Sequence, residues 1–226
     1  MFARLIDDLR EHPTRWAAGF LFVLMLFPGL DLPLSRPFYI PGRGFTWDTE
    51  GLLEFVRSVV PDVVIGSFGF CFGLWLTGLM KPDWPWRLTT PRITYLWLTL
   101  LIGPGLIVEA LLKPNWGRAR PKDISEFGGD AVYTLPWVPA QQCDSNCSFV
   151  SGHAAIAFWA IAYAAFLPAK QRPWGVLVGV VFGLAVGFVR IAQGGHFFSD
   201  IVAAGFIVVV VNAVFARLIL NRAPAR

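Results

Sequence analysis

The chain has 226 residues, of which 55% are hydrophobic and only 15% are charged, and its mean hydropathy is +0.57. A soluble domain usually carries about 25% charged residues, so this composition excludes an ordinary soluble protein and indicates an integral membrane protein. The net charge of +4 is ordinary for such a protein and gives no indication of nucleic-acid binding.

Six apolar stretches are each long enough to cross a membrane as a helix. Such a helix needs roughly 20 apolar residues, because each residue adds about 1.5 Å along the axis. We therefore predict an all-α fold: a polytopic membrane helix bundle with six transmembrane helices in a single domain, residues 1–226. The segment before the first stretch carries too many acidic residues for a signal peptide, and the stretch shows no small-residue cleavage site, so we expect it to be retained as a span. The stretches cover about 16–35, 59–80, 93–112, 150–168, 176–195 and 197–219.

The distribution of Lys and Arg predicts that both chain termini are cytoplasmic. Basic residues concentrate in cytoplasmic loops, and most of them would lie on the side of the termini. This topology places the long loop between spans three and four, residues 113–150, outside the cytoplasm. A connection of this length in a short membrane chain is usually functional. The basic residues on the side of the termini are Arg4, Arg10, Arg15, Lys81, Arg87, Arg92, Lys170, Arg172, Arg217, Arg222 and Arg226.

Two of the three cysteines, Cys143 and Cys147, lie in this outer loop. A disulfide between them could persist outside the cytoplasm. A zinc site is less favoured, because no His or further Cys lies near them, and two free thiols are the remaining alternative. We expect Cys71, within the second span, to be a small core residue.

A group of polar residues lies within about a turn or two of one membrane face, where the apolar stretches begin or end. A charge near the bilayer centre costs roughly 2.5–3.5 kcal/mol on insertion scales, so such residues are candidates for function. The catalytic motifs that these residues form all lie within residues 113–200. The residues are Lys113, Arg120, Ser151, Gly152, His153, Arg190, His196 and Asp200.

The residue types indicate phosphoryl transfer through a histidine. His196 and Asp200 are four residues apart and would share a helix face. The carboxylate would orient the ring of His196 and leave one ring nitrogen free as the nucleophile. The second imidazole, His153, would act as the general acid for the departing oxygen.

The remaining polar residues suit the binding of a phosphate. Three cations would neutralise the oxygens of the transferring group, and the Ser-Gly pair before span four offers backbone N–H groups to an anion. With three cations in place the reaction needs no metal, and we predict no cofactor. The predicted phosphate ligands are Lys113, Arg120, Arg190, Ser151 and Gly152, with Arg118 as a further candidate.

Each of these residues also has a simpler structural interpretation. Lys113 could extend to the membrane surface or pair with Glu109, four residues before it. Arg190 could be a buried ion-pair partner of Asp200, and the Ser-Gly pair could be only a helix cap. His196 and Asp200 could form an ordinary polar contact. Taken together, the residues favour a functional site.

Three segments resemble the motifs of the type 2 phosphatidic acid phosphatases, a family that also includes lipid phosphatases, undecaprenyl-pyrophosphate phosphatases and vanadium haloperoxidases. The first motif is Lys, six residues, then Arg-Pro, which matches Lys113, Arg120 and Pro121. The second is Pro-Ser-Gly-His, which matches residues 151–153 with Val150 in place of Pro.

The third motif of the family is Ser-Arg, five residues, His, three residues, Asp. It matches Arg190, His196 and Asp200, with Val189 in place of Ser. The resemblance covers about residues 90–215. It implies a six-helix bundle, a metal-independent phosphohistidine mechanism and an active site on the extracytoplasmic side.

The stretch CDSNCSFVSGHAA, with GRARP upstream, is similar to bacterial lipid A phosphatases. This resemblance implies a phosphorylated membrane lipid as substrate and a location in the bacterial inner membrane with the site facing the periplasm. The sequence gives no evidence of an obligate protein partner. It favours the 1-phosphate of lipid A. The alternatives are the 4′-phosphate, undecaprenyl pyrophosphate, phosphatidylglycerophosphate and phosphotransfer to a lipid acceptor.

Two other classes of protein compete with a membrane phosphatase. An anion transporter would be expected to show internal repeats and polar residues near the bilayer midplane, whereas most of the spans are apolar between their ends. A vanadium haloperoxidase would use the same pocket, but those enzymes are soluble.

Overall fold

The described part of the chain is built of helices, short turns and a long loop. The structure is a computed structural model and describes residues 2–47, 51–81, 83–84 and 87–220. Its α-helices are α1 (Phe2–Glu11), α2 (Pro13–Met25), α3 (Asp31–Ser35), α4 (Gly51–Met80), α5 (Thr90–Leu100), α6 (Lys113–Asn115), α7 (Gly152–Trp159), α8 (Arg172–Ala192) and α9 (Phe198–Phe215). Turns of 3-10 helix cover Pro28–Leu30, Arg36–Phe38, Pro121–Asp123, Ser125–Phe127 and Ala160–Phe166, and π-helical turns cover Leu101–Leu112 and Ala216–Leu220. An antiparallel ribbon pairs β1 (Tyr39–Ile40) with β2 (Gly44–Phe45).

Within the described residues, four helices are long and apolar enough to cross a membrane. They correspond to the predicted spans two, three, five and six. The mostly helical architecture of a membrane protein is therefore as predicted. The four helices cover Leu53–Met80, Thr90–Asn115, Arg172–Ala192 and Phe198–Leu220.

The other two predicted spans differ from straight transmembrane helices. The first is broken into Pro13–Met25 and Pro28–Phe38, which are bent by 68° relative to each other. Pro28 lacks a backbone N–H and so favours the break. The fourth is the shorter apolar helix Gly152–Phe166. Its 8 α-helical and 7 3-10 residues extend about 26 Å, which is less than the roughly 30 Å of a hydrocarbon core. Six spans thus remain a prediction.

Helix α7 lies at the centre of the bundle, where glycines of the neighbouring helices contact it. The ring of Phe158 packs between α8 and α9: a Cβ atom at Gly183 would lie 2.3 Å from the ring, and one at Gly205 would lie 2.8 Å from it. Small residues at these positions let the helices approach closely. Trp159 Nε1 donates to Thr99 Oγ1 at 2.9 Å, which ties α7 to α5. This packing fixes the start of α7 beside the junction of α8 and α9.

Candidate active site

The three motif segments meet at one end of the bundle. The first follows the third span, the second opens α7, and the third joins α8 to α9. A Cβ atom at Gly152 would come within 1.8 Å of Glu109 Oε1 and 3.4 Å of Lys113 Nζ, so the first and second motifs are in contact. The Ser151 N–H donates to the carbonyl oxygen of Asp200 at 3.3 Å, which joins the second motif to the third.

His196 is buried between α8 and α9 with its ring held in one orientation. The residue is 1% exposed, and Nδ1 lies 2.7 Å from the carbonyl oxygen of Ser148. A carbonyl can only accept, so Nδ1 carries the hydrogen and Nε2 keeps its lone pair. Burial and the positive charges of Arg190, Arg120 and Lys113 lower the pKa of His196 well below its usual value, against the opposing effect of the Ser148 hydrogen bond. The ring is therefore neutral near pH 7.

The hydrogen-bond partner of His196 differs from the predicted one. Asp200 Oδ2 lies 3.9 Å from His196 Nδ1, which is within ion-pair distance but too far for a hydrogen bond, so the predicted hydrogen bond between the two side chains is wrong. Asp200 accepts instead from the Ser148 hydroxyl at 2.5 Å and from the Phe197 N–H at 2.8 Å. The prediction failed because α9 begins at Phe198. His196 precedes the helix, and the i, i+4 argument holds only within one.

Two of the predicted phosphate-binding cations, Lys113 and Arg120, are partly exposed. Lys113 Nζ donates to both carboxylate oxygens of Glu109, at 3.0 and 3.1 Å. The ion pair between these two residues, which is the simpler structural interpretation of Lys113, is therefore present. Arg120 donates to the carbonyl oxygen of Asn146, at 3.0 Å from Nε and 2.6 Å from Nη2. This contact holds Arg120 against the loop that precedes α7.

The third cation, Arg190, is almost fully buried, with 6% of the residue exposed. Its guanidinium contacts the side-chain oxygen of Gln193. A Cβ atom at Gly195 would lie 2.4 Å from Arg190 Nη2, so glycine leaves the space that the guanidinium occupies. The ion-pair partner of Asp200 is Arg118 rather than Arg190.

The second imidazole, His153, is half-buried in the first turn of α7. The positive charges of Arg190, Lys113, Arg57 and Arg120 all act on its ring. Sequence reasoning did not select Arg57, which lies on α4. The three predicted cations therefore lie close enough to both imidazoles for their charges to act on each ring.

Ser151 caps the helix that carries His153. Its Oγ accepts the Ala154 N–H at 3.4 Å, so its interpretation as a helix cap is correct. The N–H groups of Gly152 and His153 are among the first of the helix, which have no partner within it. Such groups can bind an anion at the same time as the cap persists.

Arg118, predicted as a further candidate phosphate ligand, is enclosed in the protein interior. Its side chain is 0% exposed and pairs with two carboxylates. Nη1 lies 2.5 Å from Asp200 Oδ1, and Nη2 lies 2.8 Å from Asp31 Oδ2. Sequence reasoning missed Asp31. An acidic residue at the edge of an apolar stretch was the signal that could have revealed it.

The two outer-loop cysteines, Cys143 and Cys147, form a disulfide, with Cα atoms 5.7 Å apart. This contact agrees with the disulfide interpretation and not with a zinc site or free thiols. The loop that the disulfide closes includes Asn146, whose carbonyl oxygen accepts from Arg120. Ser148 directly follows the loop and accepts from His196.

Apolar membrane helices with an imidazole among cations at one end of the bundle are the arrangement that a membrane phosphatase requires. Residues 92–224 match the PAP2 superfamily, and the chain belongs to this superfamily, in agreement with the resemblance of its three motifs. No solved structure matches the chain significantly.

Three curated proteins are similar in sequence to this chain, over alignments of different length. The lipid A 4′-phosphatase of Francisella tularensis subsp. novicida is 34% identical over 200 residues, which cover 88% of this chain and 90% of the relative. The lipid A 4′-phosphatase of Rhizobium etli is 37% identical over 204 residues, which cover 83% of this chain and 77% of the relative. The lipid A 4′-phosphatase of Rhizobium leguminosarum is 38% identical over 120 residues, which cover 53% of this chain and 52% of the relative.

Proposed function

We propose that this protein is a lipid A phosphatase of the bacterial inner membrane that removes the 4′-phosphate at the extracytoplasmic face. Two relatives named as lipid A 4′-phosphatases align over more than three quarters of both chains. The motif segments alone favoured the 1-phosphate. The names of the relatives favour the 4′-phosphate instead, and this corrects the prediction of the 1-phosphate.

One observation carries the mechanism: His196 is buried, and its Nδ1 is held by the Ser148 carbonyl. Its Nε2 lone pair attacks the phosphorus, a P–N bond forms, and the P–O bond to the sugar breaks. A water molecule then attacks the phosphohistidine, the P–N bond breaks, and inorganic phosphate leaves. His196 returns to its starting state, so the two steps together hydrolyse one phosphomonoester.

The cations and the second imidazole support both steps. Lys113, Arg120 and Arg190 stabilise the charge on the equatorial oxygens, which is the dominant effect in phosphoryl transfer. The negative charge of a bound phosphate favours the protonated form of His153. His153 then gives this proton to the leaving sugar oxygen and takes one back from the attacking water.

Two features support an extracytoplasmic site. The motif residues lie at the end of the bundle where α7 and α9 begin, and the opposite end carries Arg92, Arg172 and Arg217. Basic residues concentrate on the cytoplasmic side of membrane proteins. The disulfide between Cys143 and Cys147 closes the loop that contacts Arg120, and disulfides persist mainly outside the cytoplasm.

The direct test is to incubate the purified protein with lipid A that carries both phosphates and to locate the lost phosphate by fragmentation mass spectrometry. Loss from the 4′ position is expected. His196→Ala should release no phosphate. His12→Ala, which changes an exposed histidine, is the matched control and should keep full activity.

Other lipids decide between the remaining alternatives. Undecaprenyl pyrophosphate, phosphatidylglycerophosphate and phosphatidate are assayed in parallel, and a faster reaction with any of them would overturn lipid A as the substrate. Loss of the 1-phosphate would overturn the position. Recovery of the phosphate on a lipid acceptor would identify a phosphotransferase, and binding without any release of phosphate would favour an anion transporter.

A further inference from the structure

Asp31 joins the first, bent segment of the chain to the junction that holds His196. It begins α3 and is 0% exposed. Its Oδ1 accepts the Ser199 N–H at 2.8 Å, and its Oδ2 accepts the Ser199 hydroxyl at 2.7 Å and Arg118 Nη2 at 2.8 Å. Asp31 lies outside the residues that match the superfamily, 92–224.

Arg118 links Asp31 to Asp200 within the buried interior. Its Nη1 contacts Asp200 Oδ1 at 2.5 Å and the Ser199 hydroxyl at 2.9 Å, and its Nε donates to the Thr134 carbonyl at 3.0 Å. Burial alone would lower the pKa of Arg118, but the charges of Asp200 and Asp31 raise it above its usual value. The guanidinium therefore stays charged and holds both carboxylates.

Ser148 connects these charged residues to His196. Its N–H donates to the Arg118 carbonyl oxygen at 2.8 Å, and its hydroxyl donates to Asp200 Oδ2 at 2.5 Å. Its own carbonyl oxygen lies 2.7 Å from His196 Nδ1. The backbone and the side chain of Ser148 are thus both fixed by the charged residues, and its remaining polar group fixes the imidazole.

We propose that Asp31 and Arg118 are positioning residues that hold the Ser148 carbonyl, and through it the attacking Nε2 of His196; this rests on the nucleophilic role of His196 proposed above. A buried and hydrogen-bonded charge pair resists displacement, and a nucleophile must be held closely to its attack geometry. The phosphate-binding cations make different contacts. Loss of Asp31 should therefore slow the chemical step without weakening phosphate binding.

The test compares Asp31→Asn with Asp130→Asn, which changes an exposed carboxylate on the outer loop. For each protein, kcat and KM are measured on lipid A and on p-nitrophenyl phosphate, and inorganic phosphate serves as a competitive inhibitor. Asp31→Asn should lower kcat about 10- to 100-fold, the effect of one charge-assisted hydrogen bond. KM and the inhibition constant of phosphate should stay within about twofold of wild type. Asp130→Asn should match wild type in every constant.

Ser199→Ala provides a second variant if Asp31→Asn does not accumulate in membranes. It removes the neutral hydroxyl that contacts both Asp31 and Arg118, and kcat should fall about 3- to 10-fold with phosphate inhibition unchanged.

Two results would overturn the positioning role. One is a kcat of Asp31→Asn, or of Ser199→Ala where that variant is needed, within about twofold of wild type. The other is a loss of kcat matched by an equal loss of phosphate binding, because this would mean that the substitution had disturbed the whole site. A wild-type protein that hydrolyses neither substrate would instead contradict the proposed function.

Discussion

The substitution Gly195→Ala should weaken the enzyme through Arg190 alone. The added Cβ atom would lie 2.4 Å from Arg190 Nη2, whereas ordinary contact begins at 3.4 Å. The guanidinium must therefore retreat by about 1 Å, and a displacement of this size can cost about 10²-fold in rate. The backbone of Gly195 is outside the left-handed region, so the substitution adds no backbone strain. We expect kcat/KM on lipid A to fall about 100-fold.

A double-mutant cycle with Arg190→Lys identifies the cause of this loss. Lysine lacks the Nη2 atom that the new Cβ meets, so Gly195→Ala should cost little in the Arg190→Lys background. Gly66→Ala, at a position with open space around the new Cβ, is the control and should keep wild-type activity. The reasoning fails if Gly195→Ala retains kcat/KM within about twofold of wild type, or costs as much with lysine present as with arginine.

Three further predictions concern the loop disulfide, the Lys113–Glu109 ion pair and the effect of metal and vanadate on activity. Replacing Cys143 and Cys147 by Ser should loosen the loop that holds Arg120 and raise KM, and dithiothreitol should reproduce this in the wild type; an unchanged KM would mean that the loop holds its shape unaided. Glu109→Gln should lower KM roughly twofold, because Lys113 loses a partly exposed competing carboxylate, and a higher KM would show that Glu109 assists binding. Activity should persist in EDTA and fall with vanadate, which mimics the transferring group; full dependence on added Mg²⁺ would contradict this.

The sequence predicted the convergence of the motifs because that result depends mainly on topology. Polar residues at the ends of long apolar helices must lie near a membrane face. Lys113, Gly152 and Asp200 were placed on one face in this way, and the structure links their segments directly. The broken first span and the short fourth helix were less predictable, since apolar composition does not reveal a bend or a 3-10 turn.

The contacts around His196 depend on where one helix begins, and the argument of a shared helix face was applied to a residue that lies just before that helix. With α9 beginning at Phe198, the ring turns to the carbonyl of Ser148 instead of the carboxylate of Asp200. The pairing of Asp31 with Arg118 joins residues 87 positions apart. No local pattern specifies such a partner, so only the folded chain reveals it.

The central claim is that phosphate passes through His196, and trapping the intermediate tests it most directly. The enzyme is mixed briefly with lipid A radiolabelled at the 4′-phosphate, quenched in alkali, which preserves phosphohistidine, and digested for peptide mapping. The account predicts label on the peptide that contains His196 and none in His196→Ala. Label on another residue, or rapid turnover with no labelled protein at any time, would contradict it.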